Sequence, residues 1–291
     1  MLMKHNSSIV LEHGNWPVEF HFCNRSIPFR DTLLNVYPQF VTKSSPQARL
    51  DIIIDEKGVK RSDNQVIVHT DGKSYELSRY NCKLTYDVES GYGRLLFGFF
   101  VGEFQLSLWN ALMEVLIGMS HILSETGVLV HAAGMETRTG GWLIPGKSGA
   151  GKSTLVTSFP SSSVINDEKI LVRIDGKAVL ASDVPLQVPY RGQAHRTALK
   201  GIMFLDRLEE QDVWSENTVD LDAVQTTRNL LMHVLPPNYY IPEKEKGIWL
   251  KKVLVVCARI ASLVPGCSLS WKENLLSRAE SFLIRKKNVI R

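Results

Sequence analysis

The stretch Gly140–Phe159, GGWLIPGKSGAGKSTLVTSF, decides how the rest of the chain is read. Within it, Gly146-Lys147-Ser148-Gly149-Ala150-Gly151-Lys152-Ser153 fits G-x-x-x-x-G-K-[ST], the pattern of a phosphate-binding loop. Glycines at these positions let successive backbone N–H groups turn inward around a polyphosphate. Trp142-Leu143-Ile144 reads as a short strand before the loop, and Leu155-Val156 open an apolar helix face after it. A helix that starts at the loop turns its unpaired N–H groups and positive dipole end toward the same anion. In such a loop Lys152 reaches the β- and γ-phosphates and Ser153 holds Mg²⁺. Gly146 to Ser153, with Thr154 beside them, therefore form a candidate cradle for ATP or another nucleoside phosphate with Mg²⁺. An ordinary glycine-rich turn is the alternative.

The 291 residues suffice for one large or two modest domains. Hydrophobic residues make up 44% and charged residues 22%, which excludes global disorder. A net charge of +4 suits an anionic ligand and is too small to argue for nucleic acid. Cys23, Cys82, Cys257 and Cys267 show neither C-x-x-C nor zinc spacing, so a reducing, cytoplasmic setting is expected. The N-terminus lacks the apolar core of a signal peptide. The apolar run Val253–Val264 is too short to span a membrane and is broken by Arg259, so no membrane span is expected.

Residues 1–102 alternate in short β-type runs: 17–22, 51–54, 65–69, 74–77, 83–88 and 94–101. Asp71-Gly72 reads as a hairpin turn. His5, His13, His21 and His69 stand at no metal-binding spacing and read as structural or surface residues. From 103 to 126 the period changes to that of a long amphipathic helix, read as a connector. Residues 127–291 form the second domain. Strands are expected over 128–135, 142–145 and 200–205, with a hairpin at Asp175-Gly176. Helices are expected over 220–235, 243–263 and 272–285, with an edge strand over 266–271. The class is α/β. Asp167 and Glu168 follow an apolar run, where a metal-binding or catalytic carboxylate belongs beside a phosphate loop. Arg191, His195, Arg196 and Lys200 form a basic cluster in and after a proline-rich loop. Arg191 and Arg196 are candidate clamps for substrate or phosphate, against the plainer reading of a solvated basic loop.

Three features of the second domain carry a resemblance to the HPr kinase/phosphorylase superfamily. His131 ends a strand fifteen residues before Gly146. The loop GKSGAGKS is similar to that family's G-x-S-G-x-G-K-S. Asn166-Asp167-Glu168-Lys169-Ile170 aligns with its A-D-D-R-V segment. The resemblance covers roughly residues 125–275 and leaves the β-rich N-terminal part unmatched. It implies a phosphate-loop kinase domain with a mixed sheet of the HPr kinase type and C-terminal helices. It also implies Asp167 as general base and, with Ser153, as Mg²⁺ contact, Lys152 stabilising the transferring group, and Glu168 and His131 as further active-site residues. Thr154 replaces the family's usual Glu, Glu168 replaces Asp, and the later Gly-Arg signature is not found. Neither phosphorylase activity nor HPr as substrate is therefore expected.

The resemblance extends to stand-alone kinases that tailor peptides, including those that phosphorylate a serine of lasso-peptide precursors. A peptide or protein bearing serine is thus the expected partner, and assembly of identical copies is compatible with the family. Two alternatives stay open: a kinase for a small hydroxylated molecule, and a nucleotide-binding regulatory module without transfer.

Overall fold

The computed structural model describes residues 8–55, 67–79, 82–98, 102–138, 140–157, 163–186, 196–207, 218–235 and 241–271. The described residues hold two mixed sheets and five α-helices, an α/β architecture. The chain divides into two compact units. One comprises Met1–Ser124, Pro185–Tyr190 and Pro236–Lys252; the other comprises Glu125–Val184, Arg191–Leu235 and Val253–Arg291.

The first unit contains β1 (Ser8–Glu12), β2 (Pro17–Phe22), α1 (Ile27–Val36), β3 (Ala48–Ile54), β4 (Ile67–Thr70), β5 (Ser74–Arg79), β6 (Cys82–Asp87), β7 (Tyr92–Phe97) and α2 (Gly102–Leu123). Its strands lie in the order β1-β2-β3-β7-β6-β5-β4. The β2–β3 and β3–β7 pairs are parallel and the others antiparallel. Alternation explains the sheet: Val18, Phe20 and Phe22 are buried while Glu19 and His21 face outward. At the β4–β5 hairpin Asp71 accepts from the N–H groups of Lys73 and Ser74 at 2.8 and 2.7 Å, and Gly72 supplies a φ of +91°.

The helix read as a connector belongs to this unit. Asn110 Oδ1 of α2 accepts from Tyr37 Oη at 2.9 Å, and the Leu116 carbonyl accepts from Tyr75 Oη at 3.0 Å. Trp109 packs edge-on against Phe20 and Phe29. The window Leu106–Leu123 is long and apolar enough by length and composition to cross a membrane, and 78% of it is buried within the protein.

The second unit contains β8 (Gly127–Thr137), β9 (Gly140–Pro145), α3 (Lys152–Thr157), β10 (Val164–Asn166), β11 (Lys169–Asp175), β12 (Ala178–Ser182), β13 (Arg196–Arg207), β14 (Thr218–Leu221), α4 (Ala223–Leu231) and β15 (Val234–Leu235). The division between units falls inside α5 (Glu243–Leu263), after which β16 (Gly266–Trp271) completes the sheet. The pairings β8–β11, β11–β12, β12–β13, β13–β9 and β9–β8 return to their starting strand. This closure leaves those five strands few open edges.

Two sequence expectations change here. The helix expected over 220–235 is instead β14, α4 and β15. A capping box starts α4: Gln225 N–H donates to Asp222 Oδ1 at 2.7 Å, and Asp222 N–H donates to Gln225 Oε1 at 3.0 Å. β16 is an interior strand between β13 and β14 rather than an edge. The helix expected over 272–285 lies outside the described residues.

His13 in the first unit is fully buried beside Trp16 and Phe20, and neither ring nitrogen has a hydrogen-bond partner. Burial pushes its pKa down from 6.5 to about 3. The unfolded chain then binds the extra proton, so His13 weakens the fold as pH falls from 6.5 toward 3. Chemical denaturation should show wild type losing up to ~1.4 kcal/mol per pH unit more than His13→Leu across this window. Parallel pH profiles of the two proteins would contradict the assignment.

Candidate active site

β8 is 11 residues long and changes neighbours on both edges near its middle. Along one edge Gly127–His131 pair with β11, and Gly134 and Met135 pair with β10. Asp167 and Glu168 form the interruption between those two partners. Along the other edge Leu129 and Val130 pair with β15, and Ala132–Thr137 pair with β9. His131 stands at both changes. Its N–H donates to the His233 carbonyl at 2.8 Å, and its carbonyl accepts from Gly146 N–H at 3.4 Å. Ala132 N–H donates to the Glu168 carbonyl at 3.1 Å. Backbone groups inside a sheet must find partners, and here the partners are the glycine-rich loop after β9, the acidic turn and the end of α4.

The loop between β9 and α3 turns on its glycines. Gly149 and Gly151 adopt φ of +82° and +95°, conformations that disfavour residues with a Cβ. A Cβ on Gly146 would stand 3.1 Å from Ala150 Cβ and 3.4 Å from Lys152 Cγ, so the loop fits closely around its lysine. α3 is anchored from behind by Leu155 and Val156, which pack among Ala133, Met135, Trp142, Ile144, Met203 and Cys267. Trp142 is thus a packing residue at the loop's base.

Lys152 is buried, and its Nζ donates to the carbonyls of Gly146 at 2.6 Å and Lys147 at 3.0 Å. The same Nζ lies 3.4 Å from His131 Nε2. An ammonium only donates, so Nε2 accepts and the imidazole proton sits on Nδ1. Ser153 and Thr154 are exposed at the start of α3.

Burial, then Lys152, His233 and Lys169, push the His131 pKa down to about 4. His233 is lowered by burial and by Lys152 and Lys147. Lys152 is lowered by burial, against the opposing pull of Glu168 and Asp167. The site thus gathers a buried cation, an imidazole held neutral at pH 7 and two half-buried carboxylates within electrostatic reach of the cation.

Gly146 to Thr154, His131, Lys152, Asp167 and Glu168 therefore come together. Arg196 opens β13 opposite Ser182, on the exposed face shared with Lys200. Arg191 and His195 lie outside the described residues. Sequence reading missed His233, which adjoins His131 only through the β8–β15 pairing. It also missed the role of Asn166: the buried amide oxygen accepts from Glu168 N–H at 2.8 Å and Lys169 N–H at 3.2 Å, shaping the acidic turn. An Asn before two acids was the available signal.

Among the described residues no three His, Cys, Asp or Glu side chains are grouped to hold a metal ion. Mg²⁺ at phosphate sites is held by one or two carboxylates together with substrate phosphates and water. The exposed Ser153 hydroxyl and the Asp167 carboxylate beside a glycine-lined loop fit that donor set.

The first unit carries an open cleft of about 630 Å³ with carboxylates from Asp71, Glu76, Asp87 and Glu245. Each is already engaged: Asp71 with Lys73 and Ser74, Glu76 with Lys83, Asp87 with Ser90 and Glu245 with Thr70. These contacts build the sheet's turns and surface pairs. Compared with models of known families and with curated proteins, the chain matches none.

The Lys152–His131 contact makes a direct prediction. Replacing Lys152 by Met removes a cation that depresses the imidazole, while burial stays. NMR titration should place the His131 pKa above its wild-type value and still below 6.5. An unchanged value would contradict the proximity of the two groups.

Proposed function

We propose that the chain is a Mg²⁺-dependent kinase that transfers the terminal phosphate of ATP, or of another nucleoside phosphate, to a serine hydroxyl of a peptide or protein. The observation that carries this reading is the meeting of Lys152, His131 and the Asp167–Glu168 turn where β8 exchanges partners. A phosphate loop alone serves hydrolases, switches and kinases alike. A carboxylate pair opposite the loop lysine adds a group that can receive a proton from an acceptor hydroxyl.

In this reading the loop backbone and Lys152 hold the phosphates, and Lys152 offsets charge on the transferring group. Ser153 and Asp167 would hold Mg²⁺, which supplies neutralisation of phosphate charge. Asp167 orients the serine hydroxyl and takes its proton as the hydroxyl oxygen bonds to phosphorus and the bond to the leaving diphosphate breaks. Neutral His131 accepts a hydrogen bond from Lys152 and keeps that ammonium aimed along the loop. Glu168 adds negative potential that helps Lys152 stay protonated in a buried position. Arg191 and Arg196 are assigned to substrate contact. The resemblance to peptide-tailoring kinases narrows the acceptor to a ribosomal precursor peptide of the lasso type. The four cysteines form no disulfide, which fits action in the cytoplasm.

The test is phosphate transfer from labelled ATP with Mg²⁺ to a serine-bearing precursor peptide. Asp167→Asn should lower kcat by roughly 10²- to 10⁴-fold with ATP affinity retained. Wild-type turnover in that variant would remove Asp167 as base. Tight nucleotide binding without transfer to any acceptor would favour a regulatory module, and transfer only to small hydroxyl compounds a small-molecule kinase.

A further inference from the structure

Asn166 and Asp183 form a buried polar pair that the transfer chemistry does not itself use. They are 0% and 2% exposed. Asn166 ends β10, and Asp183 follows directly on the last residue of β12. Asn166 Nδ2 donates to Asp183 Oδ1 at 2.8 Å, and the same oxygen accepts from Val184 N–H at 2.7 Å. The other end of the Asn166 amide accepts from Glu168 N–H at 2.8 Å and Lys169 N–H at 3.2 Å. This pattern settles the orientation of the amide. A carboxylate can only accept, so it must face Nδ2, and the two backbone donors must face Oδ1.

An unaided asparagine amide can rotate and present either end to the turn. With Nδ2 turned toward Glu168 and Lys169, two N–H donors would meet an NH₂ group and both would lose their acceptor. Asp183 removes that choice. A carboxylate buried this deeply is costly unless donors satisfy it, and Asn166 and Val184 supply two. The turn so fixed gives its Glu168 carbonyl to Ala132 N–H, one residue beyond His131.

We propose that Asp183 is a positioning residue for the acidic turn. It locks the Asn166 amide, the locked amide holds the backbone of Glu168 and Lys169, and the Asp167 and Glu168 carboxylates are thereby presented to Lys152. Its effect on transfer rests on the reading of this site as a kinase centre, whereas its effect on the turn does not.

Two variants test it in the full chain. Asp183→Leu leaves the Asn166 amide without its carboxylate. Asp183→Asn keeps an oxygen that can accept from both Asn166 Nδ2 and Val184 N–H. Hydrogen exchange at the Glu168 and Lys169 amides should be about 10-fold faster in Asp183→Leu and within a few-fold of wild type in Asp183→Asn. With Mg²⁺ and ATP, kcat should fall about 100-fold in Asp183→Leu, with the ATP Kd within about 3-fold, and stay within a few-fold of wild type in Asp183→Asn. The proposal is overturned if Asp183→Leu leaves exchange at these amides unchanged, or if Asp183→Asn folds with a wild-type Tm yet loses their protection. Loss of kcat and ATP affinity together in Asp183→Leu would mark a general structural role and also overturn it. Should Asp183→Leu not fold, Asp183→Ala, which also lacks the acceptor, takes its place in each comparison. If wild type neither binds nor turns over ATP, the kinase reading fails, and amide exchange still decides whether Asp183 fixes the turn.

Discussion

The demand of one strand's backbone for hydrogen-bond partners organises the second unit. β8 satisfies its two edges with β9, β10, β11 and β15, and it does so by changing partner on each edge near His131. Wherever two partners part, the chain between them must leave the sheet plane. The glycine-rich loop leaves from β9, the acidic turn lies between β10 and β11, and His233 sits where α4 gives way to β15. The hydrogen bonds of His131 and Ala132 tie all three to adjacent residues. Groups far apart in sequence are thereby held together by backbone geometry, which side-chain motion alone cannot undo.

Electrostatics follows from that placement. A lysine buried as deeply as Lys152 would tend to lose its proton. Two carboxylates oppose that tendency, and two loop carbonyls solvate the ammonium. The nearby imidazole goes the other way: burial and the cation keep it neutral and therefore able to accept. Each group's protonation state supports its neighbour's. The same arrangement leaves a preorganised positive centre.

Much of this is legible in the sequence because its signals are local. The loop motif is eight consecutive residues, and φ above zero at Gly149 and Gly151 is what its glycines foretell. β2 and the β4–β5 hairpin announce themselves by alternation and by Asp71-Gly72. The Asp167–Glu168 pair is visible because it follows an apolar run. What escapes a linear reading depends on pairing across the sheet. His233 is an ordinary residue until β15 is placed beside β8. Asp183 lies 17 residues from Asn166, with β11 and β12 between them. α1 is hidden because its Pro28 reads as a breaker, although proline is tolerated in a helix's first turn. α2 reads as a connector because periodicity shows an apolar face and not what covers it.

The central claim is that the loop and the acidic turn form one polyphosphate site. Hydrogen exchange of the full chain, with and without Mg²⁺ and a non-hydrolysable ATP analogue, tests it most directly. Slowed exchange should appear at the amides of 146–153 together with those of 167–169. Unchanged exchange at the loop, or protection of the loop with no response at the acidic turn, would contradict the account.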